Sequence, residues 1–324
     1  MKTVLITAPY MIPFMDRFTP ILESFGLNVI IPEVDERFEA DELLQFVGQY
    51  EGTICGDDRY TAEVIAANAG TLKVISKWGT GVDAIDAEAA EKYGVMVGRT
   101  PNAFTVPVSE SVMAGMLSFA RNVPWMDEAM KAGEWKKIRG HTLSESTLGV
   151  VGVGNIGKAV IRRARPFGMT ILGNDIVDIE PDFILEQGVE MTNLEDLLER
   201  SDYISLNTSL NPTSYHLINA ETLRHVKPSA VLINTCRGPV VDEETLIAAL
   251  QEGRLRGAAL DVFEEEPLPA DSPLTKMDNV LLSPHNTNSS PFFYERIHWN
   301  SIRNLLIGLD IPVGDINSLK ALEK

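Results

Sequence analysis

The chain is poor in cysteine, poor in positive charge, and without a long apolar run. Cys55 and Cys236 are the only two thiols in 324 residues, far apart and in no metal-ligand spacing. That excludes a disulfide framework and points to a reducing compartment; no metal is expected. Lysine and arginine number 28 against 46 aspartates and glutamates, a formal net charge of −18. Such a balance argues against nucleic acid or an anionic membrane as a partner. An anionic small molecule must then be received by a local positive site against the overall field. No apolar stretch approaches the ~20 residues that a membrane span needs. Met1-Lys2-Thr3-Val4-Leu5-Ile6 begins directly as a strand, with no signal-type apolar core or cleavage site. The expectation is a soluble, acidic, cytoplasmic protein. Internal repeats and low-complexity segments are missing too.

What is present is ordinary globular material, 44% hydrophobic and 23% charged, in a chain long enough for two domains. In the first hundred residues, strand-like runs at 3–7, 28–31, 53–55 and 72–76 alternate with helical patterns at 20–25, 43–47 and 61–68. This alternation predicts a parallel sheet with right-handed crossovers. The last run ends in Lys77-Trp78-Gly79-Thr80-Gly81-Val82-Asp83. Its backbone N–H groups are placed to hold an anion, unless it is merely a tight strand-to-helix turn. A long apolar helix is predicted over 108–119, where the chain crosses to its second domain. Glu110 on that helix reads as a paired structural carboxylate. A shorter amphipathic helix is predicted over 125–137, and a last one over 292–309 that returns the chain to the first unit.

The second region is organised around Leu148-Gly149-Val150-Val151-Gly152-Val153-Gly154-Asn155-Ile156-Gly157-Lys158. A buried strand leads into glycines at G-x-G-x-x-G spacing, and Lys158 opens a helical pattern. Gly152 supplies the turn, Gly154 a close backbone approach, and Gly157 a tight contact of helix with strand. A pyrophosphate at the helix N-terminus would meet unpaired N–H groups and the positive end of the helix dipole. The next strand, 169–174, ends in Asp175, 18 residues beyond Gly157. A carboxylate there accepts hydrogen bonds from a ribose, and Ile176 and Val177 bring no cation for a ribose phosphate. The reading is NAD rather than NADP. Later strands at 203–207, 230–234, 257–260 and 280–282 each end in a polar cluster, where an open parallel sheet places its ligand.

Hydride transfer to a carbonyl requires a general acid, a cation for the substrate's charge, and a group that keeps the acid protonated. His285 follows Pro284 just after an apolar strand, and an unperturbed pKa of ~6.5 suits proton exchange near neutrality. Arg237 is suited to a bidentate grip on a carboxylate. Glu266, before Pro267, is placed to bond the imidazolium and raise its pKa. The other histidines, His141, His216, His225 and His298, read as ordinary surface or helix residues.

Five ordered stretches together resemble the D-isomer-specific 2-hydroxyacid dehydrogenases, which include phosphoglycerate dehydrogenases. They are Gly79-Thr80-Gly81-Val82-Asp83, the glycine fingerprint with Asp175, Asn234 through Glu243, Leu260-Asp261-Val262-Phe263 through Leu268, and Ser283-Pro284-His285. The resemblance covers nearly the whole chain. It implies an α/β fold of two Rossmann-like or flavodoxin-like parallel-sheet domains with the active site in the cleft between them. Residues 1–100 with 290–324 would form the substrate-binding domain and 101–289 the NAD-binding domain. It implies His285 as acid/base with Arg237 and Glu266. It implies NAD contacts at Asn155, Ile156, Asp175, Thr208, Thr235, Cys236 and Asp261, besides the three glycines, Thr80, Arg237 and His285. The implied substrate site is Trp78, Gly79, Thr80 and Gly81 with Arg237, and Lys77 beside them. A homodimer through the NAD domains is implied as well.

Two departures bear on substrate. Asn286-Thr287-Asn288-Ser289-Ser290 stands where the family often has small residues, which predicts a more polar wall near the nicotinamide. Gly56-Asp57-Asp58-Arg59 brings acids to a loop where a phosphorylated substrate would want positive charge. A small 2-oxo acid such as glyoxylate, hydroxypyruvate or pyruvate is therefore placed above 3-phosphoglycerate. An appended regulatory module is not expected. The contrasting reading is a non-catalytic, NAD-responsive binding protein on the same scaffold, since fold does not dictate function.

Overall fold

All the strand ladders among the described residues are parallel, as the alternation of strands and helices requires. The computed structural model describes residues 1–320. They form two units: Met1–Phe104 with the residues from Ser290 onward, and Thr105–Ser289. Among the described residues no helix is long and apolar enough to cross a membrane.

The first unit holds strands β1 (Lys2–Ile6), β2 (Leu27–Ile30), β3 (Gly52–Cys55), β4 (Val74–Lys77) and β5 (Met96–Gly98), ordered β2-β1-β3-β4-β5. That is the flavodoxin-like order. Helices α1 (Met15–Ser24), α2 (Ala40–Leu44), α3 (Ala62–Ala67) and α4 (Ala87–Tyr93) connect the strands. The sequence places Pro20 at the start of α1, but the helix begins at Met15 and carries Pro20 inside. Met15, Phe18, Ile21 and Leu22 recur at helical spacing and are all buried, which outweighs the hydrogen bond that proline forgoes. Neither α4 nor the three-residue β5 was expected, because β5 is too short to show alternation.

The second unit opens with α5 (Thr105–Arg121) and α6 (Val123–Lys131). The helix expected to reach residue 137 stops at Lys131. Gly133 takes φ +82°, the Glu134 amide donates back to the Ala129 carbonyl, and Trp135 stands 82% exposed beyond it. Strands β6 (Thr147–Val151), β7 (Thr170–Asn174), β8 (Val189–Met191), β9 (Tyr203–Leu206), β10 (Val231–Asn234), β11 (Gly257–Leu260) and β12 (Val280–Leu282) follow. Between them run α7 (Asn155–Ala164), α8 (Pro181–Gln187), α9 (Leu194–Arg200) and α10 (Glu243–Gln251). The sheet order is β12-β11-β10-β9-β6-β7-β8. The chain reverses direction between β6 and β9, the switch point at which such sheets open a ligand crevice.

The final long helix, α11 (Pro291–Gly308), rejoins the first unit. A Cβ at Gly308 would sit 2.4 Å from that of Val74, so the helix lies directly on β4. A short α12 (Ile316–Lys320) ends the described chain.

Candidate active site

The glycines of the fingerprint divide two jobs between them. Gly152 has φ +88°, and a Cβ there would lie 2.7 Å from the Asn207 carbonyl oxygen at the end of the neighbouring strand. A Cβ at Gly157 would lie 2.0 Å from the Gly152 carbonyl oxygen, so α7 touches the turn itself. Gly154 caps α7, is exposed, and a Cβ there would meet nothing within 4 Å. The first two glycines therefore serve packing, whereas Gly154 leaves open space at a helix N-terminus. Asn155 and Ile156 are the first residues of α7 beside that space. Asp175, after β7, turns its carboxylate to the same turn: Oδ2 accepts from the Val153 amide at 2.7 Å and Oδ1 from Val177 at 3.1 Å. Ile176 and Val177 beside it are exposed and uncharged. A dinucleotide's pyrophosphate and adenosine ribose fit this cradle.

The turn after β10 is shaped by buried Asn234. Its Oδ1 accepts from the Cys236 amide and thiol, each at 3.1 Å, and its Nδ2 donates to the Arg237 carbonyl at 2.9 Å. Thr235 lies within that turn, and Thr208, following β9, brings its hydroxyl to 3.9 Å from the Cys236 sulfur. Burial pushes the Cys236 thiol up, so it acts as a neutral donor. The Arg237 guanidinium donates to the Cys236 carbonyl at 2.8 Å, which anchors one edge of its fork.

Gly238, which sequence reasoning did not single out, joins that turn to the next. A Cβ there would lie 1.8 Å from the Phe263 carbonyl oxygen. The Phe263 amide donates to Glu266 Oε1 at 2.9 Å, and Glu266 Oε2 meets His285 Nδ1 at 2.9 Å. A contiguous path thus runs from the Arg237 turn through Phe263 and Glu266 to His285. The side chains of His285 and Glu266 are 23% and 18% exposed, sheltered but reachable. His285 itself has φ +47°, uncommon for a side chain of its size. Asp261, one of the expected cofactor contacts, has its buried carboxylate engaged by the loop that carries His285.

In the first unit, the turn after β4 is tied to Thr100. Gly79 has φ +131° and accepts at its carbonyl from Thr100, while the Thr80 hydroxyl donates to the Thr100 carbonyl at 2.8 Å. Gly81 completes the turn, half-buried. Trp78 is buried among Tyr10, Phe104 and Tyr294, and its indole N–H donates to His298 Nδ1 at 3.0 Å. His298 on α11 must offer a lone pair there, and burial pushes its pKa down to about 4. Lys77, 5% exposed, pairs with Asp57 at 3.0 Å and donates to the Trp78 carbonyl.

A family model described as the NAD binding domain of D-isomer specific 2-hydroxyacid dehydrogenases matches residues 113–287. The chain belongs to that family. A glyoxylate reductase of Thermofilum pendens is 40% identical over 300 residues, 88% of this chain and 87% of that protein. A D-3-phosphoglycerate dehydrogenase of Methanocaldococcus jannaschii is 40% identical over 281 residues, 86% of this chain but 52% of that longer one. The crystal structure of a D-lactate dehydrogenase from Aquifex aeolicus, complexed with NAD and lactic acid, superposes with a TM-score of 0.83, with 27% identity and 98% of each chain covered. As a 2-hydroxyacid dehydrogenase, the protein is an NAD-dependent oxidoreductase acting on CH–OH donors. The dinucleotide cradle at Gly154 agrees with that cofactor, and a purely non-catalytic reading is set aside.

Proposed function

We propose that the protein reduces a small 2-oxo acid of the glyoxylate, hydroxypyruvate or pyruvate type. His285 Nε2 gives the proton to the carbonyl oxygen, and the Arg237 guanidinium receives the carboxylate. The observation that carries this is the 2.9 Å contact of His285 Nδ1 with Glu266, itself held by the Phe263 amide. A carboxylate at Nδ1 orients the ring, leaves Nε2 as the nitrogen that exchanges protons, and favours the charged imidazolium that a donor must be. Arg237 draws electron density from the carbonyl while it fixes the acid group. Bound NADH supplies the hydride. In the reverse direction His285 takes the hydroxyl proton.

The kinship with a glyoxylate reductase supports the small substrate. So does the Lys77–Asp57 pair, because the ammonium nearest the 78–81 turn is already neutralised. A phosphate dianion would have to compete with Asp57 for it. The kinship with a phosphoglycerate dehydrogenase keeps the oxidation of D-3-phosphoglycerate as the second reading. A panel of 2-oxo acids with NADH and NADPH separates the two. Turnover of a small acid should exceed that of 3-phosphohydroxypyruvate by about 100-fold in kcat/KM, the scale of one uncompensated charge; a reversed preference would replace the first reading with the second. The working form is read as a homodimer through the NAD-binding unit, in a reducing cytoplasm. The exposed Val123, Met130 and Trp135 support the first and the two free thiols the second.

A further inference from the structure

We propose that Thr287 is a positioning residue for His285: its hydroxyl completes the hydrogen bonds of the Asp261 carboxylate and so locks the turn that presents the imidazole. The inference rests on His285 being the acid/base group.

Asp261 is 2% exposed, and a carboxylate so buried must have its lone pairs met by the protein. All of its side-chain donors come from the one loop after β12. Oδ1 accepts from the Ser283 hydroxyl at 2.5 Å and the Asn286 amide at 2.9 Å. Oδ2 accepts from the Thr287 hydroxyl at 2.6 Å and from the Thr287 amide at 3.1 Å. The carbonyl of Asp261 takes the His285 amide at 2.8 Å. Ser283, His285, Asn286 and Thr287 are therefore all tied to a single residue at the end of β11. His285, at φ +47°, lies inside the span so clamped. A non-glycine residue persists in that region only where its surroundings over-determine it. The Ser111 hydroxyl on α5, 3.3 Å from the Thr287 carbonyl, ties the far side of the loop.

The Asn-Thr-Asn-Ser-Ser run reads in sequence as a polar wall near the nicotinamide. The structure instead turns the Thr287 hydroxyl inward, onto Asp261. Without it, Oδ2 keeps only the longer amide bond, and the loop must loosen or admit water. The His285 ring would then lose its alignment with Glu266, and a misplacement of about 1 Å can slow a reaction by about 100-fold.

The test compares Thr287→Val, isosteric but without the hydroxyl, with Thr287→Ser, which retains it. Full-length protein is assayed with NADH and the 2-oxo acid it turns over best. Readouts are the single-turnover rate of NADH oxidation and the NADH Kd from fluorescence. Thr287→Val should slow the single-turnover rate by roughly 10- to 100-fold, with NADH Kd within about 2-fold and Thr287→Ser near the parent rate. If Thr287→Val melts before assay, Thr287→Ala, which leaves room for a water, carries the same expectation; failure of both to fold would assign Thr287 to the fold alone and overturn the proposal. A parent-like rate in Thr287→Val, equal damage in Thr287→Ser, or a loss confined to NADH Kd would overturn it as well. His285→Ala is run alongside. Retained turnover there removes the acid/base reading and this inference with it, whereas lost turnover there beside full turnover in Thr287→Val removes this inference only.

Discussion

At the residue scale, the proposed proton transfer rests on one imidazole and what holds it. His285→Ala should lower turnover by about 10²- to 10⁴-fold while NADH still binds, as expected when a proton donor alone is removed. Steady-state rates with NADH-binding fluorescence check this, and equal losses in both would point to a collapsed cradle instead. Glu266→Gln keeps a hydrogen-bonding group against Nδ1 but removes the charge, so turnover should fall by about 10-fold or more with little change in NADH affinity. The pairing of Glu266 with His285 was legible in the chain itself, because both fall in polar stretches beyond the ends of apolar strands. Other roles were not. In Glu264-Glu265-Glu266 only Glu266 is marked locally, by the proline after it, and the contact of Glu264 with His216 at 2.6 Å has no local sign. Gly238 and Thr287 gain meaning only from the backbone and the carboxylate folded against them.

At the scale of the element, the strand-turn-helix of β6 and α7 separates cofactor binding from folding. Gly154→Ala adds a methyl group to open space, so stability should change by no more than about 1 kcal/mol, while NADH Kd rises by at least ~10-fold as the phosphate approach closes. Gly157→Ala forces a Cβ onto a backbone oxygen 2.0 Å away, and should destabilise by about 2 kcal/mol or more. Denaturant melts and NADH titrations on the two variants test the contrast; similar stability losses in both would reject it. The spacing of the glycines was readable, but their division of labour was not. It depends on Asn207 from a strand fifty residues on and on the direction in which α7 leaves the turn. Element ends were similarly loose, as in α6, where Gly133 stops a pattern that the amphipathic run would continue.

At the scale of the molecule, one buried histidine couples the first unit's stability to pH. His298 has its pKa lowered to about 4 from an ordinary 6.5. The unfolded chain therefore binds its proton first on acidification. The stability His298 confers is full above pH 6.5 and is lost as pH falls toward 4, by at most about 3 kcal/mol. Asp58 has the opposite sign. Burial raises its carboxyl to about 6 from 3.8, so its contribution is full below pH 3.8 and lost as pH rises through 6. His298→Gln, which keeps an acceptor for the Trp78 indole, should flatten the acid loss between pH 6.5 and 4 in denaturant melts; an unchanged slope would show that His298 is not its source. For the proposed homodimer, Trp135→Glu, just beyond α6, should shift sedimentation from dimer toward monomer; an unchanged sedimentation coefficient would reject this surface as the contact.

The parallel α/β class, most of the strands and the glycine turn at the head of α7 followed from local patterns. Turn glycines, apolar periodicity and strand-end polarity are short-range signals written in neighbouring residues. Only the tertiary structure decided that Trp78 leans on His298 from α11, that Asp57 pairs with Lys77, and that the Thr287 hydroxyl meets Asp261. Those pairings join segments between twenty and more than two hundred residues apart. The direction of a side chain across such a distance is set by how helices seat on the sheets, and one chain's residue order does not carry that information.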